Sequence, residues 1–165
     1  MINMSDAISY LQKQVPNPSQ GLPDEVFYYI SSTTPLINVD LMIKDECGRI
    51  LLSWRDDQYS GKGWHIPGGI IRFKETIEER IYQVSINEVG CVVEYDPVPL
   101  TVKQVIHKDR NKRAHFISLL FNCRLPGCYQ PDNHGLTLED PGYLMWHYGV
   151  PEQFLACHNI YRQYL

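Results

Sequence analysis

Between Trp64 and Cys91 the chain changes its apolar period abruptly. Trp64–Ile71 is a short apolar run, broken by Pro67-Gly68-Gly69, and double glycine marks a turn. From Glu75 to Val89 the period is helical: Ile77, Ile81, Ser85 and Val89 recur every four residues, and Gly90 is placed to end the helix. A strand, a tight turn and then a helix must therefore pack around this point. Ile81 and Val84 are packing positions on that helix.

The flanking sequence reads as alternating strands and turns. Leu36–Ile43 and Arg49–Trp54 are strands joined by the turn Asp45–Gly48, and polar Asp56–Gly63 is a loop. Three further strands are expected near 91–95, 98–107 and 114–123, and a last one at Tyr143–His147. The connection 124–140 is long, and long loops in compact domains are often functional. Pro151 starts a C-terminal helix with Phe154, Cys157, His158, Tyr161 and Leu165 on one side. Upstream, Ser5 caps a short helix carrying Ile8, Leu11 and Val15, Pro16–Gly21 is a loop, and Pro23 opens a second helix over 24–31. The sum is an α+β fold, a mixed sheet between helices. Trp54, Trp64, Phe121 and Trp146 are expected in its core.

Composition excludes several classes. The 165 residues suit one domain with its own hydrophobic core. The formal charge of -4 argues against a nucleic-acid backbone binder, but leaves a small phosphorylated ligand open. The five cysteines are odd in number and scattered, and the spacing of Cys123, Cys128 and His134 fits a zinc site poorly. No apolar run reaches the ~18 residues of a membrane span, and the first residues lack the basic start and apolar core of a secretory signal. A reducing cytoplasm is the expected setting.

Residues 68–91, GGIIRFKETIEERIYQVSINEVGC, resemble the Nudix box, G-x5-E-x7-R-E-U-x-E-E-x-G-U, where U is a bulky aliphatic residue. Gly69, Glu75, Glu88 and Gly90 fall at its offsets. The box arginine is Gln83, the following glutamate is Val84, the first of the later glutamates is Asn87, and Ser85 and Cys91 replace aliphatic positions. Positions 84, 87 and 88 share a helix face, so only Glu88 of the three offers a carboxylate to a hard cation. This predicts one metal rather than several.

The depleted box is similar to that of the GDP-mannose mannosyl hydrolase family. The likeness runs from about Phe27 to about His134, through Thr34-Pro35-Leu36, Val39-Asp40, Gly48–Arg55 and Trp64–Gly69. It implies a Nudix domain over 23–165, preceded by an extension, 1–22, with a short helix. It also implies a homodimer that uses Mg²⁺ and acts on a nucleotide sugar such as GDP-mannose; charge and hydropathy, as above, give the expectation of no nucleic-acid or membrane partner. In that family water attacks the sugar's anomeric carbon and inverts it. Carried over by position, the resemblance makes Gly68 (through its carbonyl), Glu88 and Asn133 metal ligands. It makes His134 the general base, Arg55 the residue that neutralises the diphosphate, and His107 an aid to leaving-group departure. Phe27 stands near an aromatic that approaches the base, and Phe116 replaces a tyrosine near the diphosphate. Asn133 stands where the family has glutamine, one methylene longer.

The chemistry is coherent by itself. Water needs a base at neutral pH, and histidine has the right unperturbed pKa. A diphosphate held by Mg²⁺ and arginine already leaves well. Two other readings stay open: a catalytically silent domain that binds a nucleotide or nucleotide sugar, and a hydrolase attacking phosphorus. Glu75 is expected to be structural, as an acid favoured at the helix start. Lys108, Arg110, Lys112 and Arg113 form either a solvated hairpin tip or a face toward an anionic ligand. His65, His115, His147 and His158 have less to single them out.

Overall fold

A computed structural model describes residues 3–165. Its centre is β1 (Leu36–Ile43), which is buried on both faces from Val39 onward. Val39, Leu41 and Ile43 point to one side and pack with Ile81, Val84 and Phe121. Met42 points to the other and packs with Ile50, Leu52, Trp54, Trp64 and Tyr161. A strand covered on both faces has no need of polar alternation, which is why Leu36–Ile43 alternates only loosely.

Two sheets result. The larger has the order β4-β1-β7-β5, with β6 also beside β7. Its strands are β4 (Gly68–Ile70), β5 (Glu94–Tyr95), β6 (Thr101–Ile106) and β7 (His115–Arg124), and β1 and β7 run parallel. The smaller joins β3 (Gly61–His65), β2 (Ile50–Asp57) and β8 (Leu144–His147) in antiparallel order. The expected loop Asp56–Gly63 is thus mostly strand, because β2 and β3 continue their pairing out to Asp57 and Gly61. Trp54, Trp64 and Phe121 are buried, and Trp146 is half-buried under the Arg49 guanidinium.

The central helix is shorter than its periodicity predicts. Helix α3 spans Ile77–Val84 and continues as a π-helical turn over Ser85–Val89. (The two short helices upstream are α1, Met4–Gln14, and α2, Asp24–Ser31.) Thr76 caps α3 reciprocally with Glu79. Gly90 ends it at φ +76°, a left-handed conformation that glycine adopts without a Cβ penalty. Glu75 lies before the cap. Its carboxylate takes the Arg80 guanidinium at 2.7 and 2.8 Å and the Arg72 N–H at 2.8 Å. The expected helix-start acid is therefore one half of a nearly buried ion pair.

Two terminal expectations change. Asn3, not Ser5, caps α1, accepting from the Asp6 N–H at 2.9 Å. After Pro151 the chain stays irregular and bridges Phe154 to Trp64, then forms a 3₁₀ helix over Ala156–Tyr164. Phe154, His158 and Tyr161 are nonetheless buried together, as their spacing predicts.

Candidate active site

The chain enters the site through Pro67-Gly68-Gly69. A Cβ at Gly68 would collide with the Asp40 carboxylate and would lie 2.7 Å from the Val39 carbonyl. One at Gly69 would meet Val84 at 2.9 Å. Both glycines are thus required by close packing of β4 on β1 and α3. Leu41–Pro67 and Ile37–Ile71 are hydrogen-bonded pairs, so the pair Asp40–Gly68 between them is not. The N–H and C=O of Gly68 consequently face away from β1. The N–H approaches Glu88 Oε2 at 3.4 Å, and the carbonyl shares that side.

Below this turn lies a cavity of about 240 Å³. Its walls include Asp40, Arg55, Gly68, His107, Phe116 and Tyr161. Asp40 is 4 % exposed. It accepts from the Tyr161 hydroxyl at 2.6 Å and from the Asn38 amide at 3.0 Å. Burial pushes its pKa up to about 6, against the downward pull of these two donors. The Tyr161 phenol is itself pushed upward, by burial and by the carboxylate beside it. Beside the cavity runs an open groove of about 710 Å³, which Glu88 and Asp132 help to line.

Two buried histidines stand between these groups. His65 Nδ1 lies 2.8 Å from the Ser53 carbonyl, so Nδ1 carries the proton and Nε2 is the acceptor. Nε2 is 3.6 Å from Glu88 Oε2, too long for a hydrogen bond. His158 packs 6.0 Å from His65, ring to ring, and its Nδ1 finds no partner among the described residues. Burial lowers the pKa of both, that of His158 strongly. His107 is half-buried, and burial together with Arg110 lowers its pKa as well. These imidazoles are neutral at pH 7.

Arg55, Gly68, His107 and Phe116, all expected at the site, come together on the cavity wall, and Glu88 lines the neighbouring groove with its carboxylate 3.4 Å from the Gly68 N–H. Asn133 and His134 do not join them. The Asn133 amide donates to the Leu144 carbonyl at 2.9 Å and accepts from the Leu144 N–H at 2.8 Å, so it clamps the late loop to β8. His134 is exposed on that loop, held by its backbone N–H to Asp132. Phe27 sits on α2, outside the cavity lining, with its ring 5.5 Å from the guanidinium of cavity-lining Arg113. The basic hairpin divides between the two expectations: Arg110 and Arg113 line the cavity, whereas Lys108 and Lys112 are exposed. Sequence reading gave no role to Tyr161, Cys157 or His158 at the site. Their only signal is helical spacing, which marks burial and not a cavity wall.

The oxygen donors that fit a divalent cation are the Glu88 carboxylate and the Gly68 carbonyl, which face the same side. Mg²⁺ commonly takes only one or two carboxylates and completes its shell with water and substrate phosphate, so this pair fits one such ion. Among the described residues, no three carboxylate, imidazole or thiol groups gather as a ready-made metal cage.

No protein-family profile matches the chain. Low-salt glycan biosynthesis protein Agl8 of Haloferax volcanii is 33% identical over 82 residues, 50% of this chain and 52% of that protein. The match thus spans about half the length of that relative. Among solved structures, a MutT Nudix hydrolase from Burkholderia pseudomallei superposes with a TM-score of 0.61 at 19% identity, covering 79% of this chain and 97% of that one. A UDP-X diphosphatase superposes with a TM-score of 0.56 at 18% identity, covering 98% and 91%. The fold is the Nudix fold.

Proposed function

We propose that this chain is a nucleotide-sugar hydrolase of the GDP-mannose kind, cleaving the bond between the anomeric carbon and the diphosphate oxygen. The observation that carries this reading is a buried carboxylate, Asp40, on one cavity wall with the Arg55 guanidinium, beside a helix that offers a single box carboxylate, Glu88. Attack at phosphorus by a hydroxide built between several metals draws on several carboxylates, and positions 84 and 87 hold Val and Asn. Attack at carbon needs one base and one stabilised leaving group.

In this reading Asp40, not His134, takes the proton of the attacking water. A pKa of about 6 leaves it ionised at pH 7 yet still basic. The water oxygen bonds to the anomeric carbon, and the electron pair of the broken C–O bond stays on the diphosphate. Arg55 meets that charge. Neutral His107 offers an N–H to the departing oxygen. Phe116 gives the wall an apolar face there. A divalent cation, held by Glu88 and the Gly68 carbonyl, supplies further charge neutralisation when bound. The name of the Haloferax relative, which places that protein in glycan biosynthesis, supports a sugar-linked substrate.

Hydrolysis of GDP-mannose in ¹⁸O-labelled water with Mg²⁺ tests the reading. Label is expected on the released sugar. Label on phosphate overturns it in favour of attack at phosphorus, the reading that likeness to a UDP-X diphosphatase favours. Tight GDP binding with no product under any divalent cation overturns it in favour of a silent binding domain.

A further inference from the structure

The cavity and the groove meet along a seam formed by Arg55, His65 and Arg113, the residues that line both. Arg113 is held there in an unusual way. Its backbone is left-handed, at φ +52°, which costs a non-glycine residue energy that the surroundings must offset. Its N–H donates to the Ser31 Oγ at 3.1 Å, and Ser31 is buried at the end of α2. Its guanidinium lies 4.7 Å from the Tyr59 ring and 5.5 Å from the Phe27 ring. Next to it, Lys112 lies 3.9 Å from the Tyr28 ring. Aromatic rings hold a guanidinium by its faces and leave its edge N–H groups free to donate. No carboxylate among the described residues pairs with Arg113.

We propose that Arg113 is a diphosphate-binding residue, paired with Arg55 across the seam and preorganised by Phe27, Tyr59 and Ser31. A ligand with two bulky ends that fills both the cavity and the groove must cross the seam with its middle. In a nucleoside diphosphate sugar that middle is the diphosphate, which carries about two negative charges when esterified at both ends, and two guanidiniums match them. Segment 24–31 thereby becomes part of the ligand site, because α2 supplies both Phe27 and Ser31. The inference rests on the nucleotide-sugar reading only in its choice of a diphosphate ligand.

The test is binding by calorimetry, with inorganic pyrophosphate, GDP and guanosine as probes for wild type, Arg113→Ala, Arg113→Lys and Ser31→Ala. Arg113→Ala is expected to weaken pyrophosphate and GDP by on the order of 10- to 100-fold, as for a lost charge-assisted fork. Guanosine affinity is expected to hold. Arg113→Lys, which keeps the charge without the planar fork, and Ser31→Ala, which frees the backbone, are expected to fall between. If Arg113→Ala changes GDP affinity less than twofold, the inference is wrong. It is equally wrong if guanosine weakens as much as GDP, or if folded wild-type protein binds neither pyrophosphate nor GDP at millimolar concentration. Should Arg113→Ala fail to fold, the same thresholds apply to Arg113→Lys. The parent reading fails separately: pyrophosphate binding that depends on Arg113, in a protein that releases no sugar from GDP-mannose, overturns the activity and keeps the site.

Discussion

The Tyr161 hydroxyl donates a 2.6 Å hydrogen bond to Asp40, tying the C-terminal 3₁₀ helix to the central strand across 121 residues of sequence. This bond holds a buried carboxylate on the wall of the cavity and favours its ionised form. Tyr161→Phe removes the donor and leaves Asn38 as the remaining side chain at hydrogen-bond distance that favours the anion, with Ser118 a weaker aid. The acid limb of kcat/KM, expected near pH 6 in the wild type, should move upward in the variant. A pH–rate profile that does not move would remove Asp40 from the role of proton acceptor.

Asp40 also makes a stability prediction. Its pKa rises from 3.8 unfolded to about 6 folded, so the native state binds its proton more tightly. Stability from this group is fully present below pH 3.8 and is lost as pH rises through about 6. At about 1.4 kcal/mol per pKa unit, the loss is on the order of 3 kcal/mol. Asp40→Asn cannot ionise. Its stability relative to wild type, measured by urea unfolding, should therefore grow between pH 4 and pH 6.

His158 acts with the opposite sign. Burial holds its pKa well below 6.5, so the unfolded chain takes up a proton there that the native chain refuses. Stability is lost as pH falls below 6.5. His158→Leu, which keeps an apolar side chain against Phe154 and Tyr161, should flatten the acid side of the wild-type curve. Equal pH slopes in the two proteins would show that His158 does not carry this loss.

The Glu75–Arg80 pair is nearly buried, with side chains 12% and 10% exposed. Removing one partner leaves the other charge without its counter-ion, which costs about 3–5 kcal/mol in buried pairs. Glu75→Gln and Arg80→Met should each destabilise by roughly that amount. The double variant should cost less than the sum, and Mg²⁺ affinity should be unaffected by either. A Mg²⁺ affinity that falls with Glu75→Gln would return Glu75 to the metal site.

The late loop separates the two assignments of the histidines. His134→Ala is expected to keep kcat within about threefold, because its side chain is exposed and outside the cavity, whereas His107→Ala should lower it by on the order of 10-fold or more. Asn133→Ala breaks both bonds to Leu144 and should lower stability by roughly 1–3 kcal/mol. Loss of activity in His134→Ala with unchanged folding would instead bring the loop into the reaction.

Local pattern determined a good part of this protein. The period of Ile77, Ile81, Ser85 and Val89, the stop at Gly90 and the double glycine after Pro67 fixed strand, turn and helix in order, because each depends on neighbours a few residues apart. The capping pair Thr76 and Glu79 was equally local and would have placed the start of α3 correctly. The depleted run of carboxylates around Glu88 was plain as well. What only the tertiary structure decided was which polar groups share a cavity. Asp40 meets Tyr161 and Gly68 through strand pairing and the C-terminal fold-back. Arg113 meets Phe27 and Tyr59 through contacts between a hairpin, a helix and a turn. Asn133 is drawn to the β8 backbone by two hydrogen bonds that no side-chain motif encodes. Such partners are chosen by burial and backbone pairing between distant segments, and neither leaves a period in the sequence.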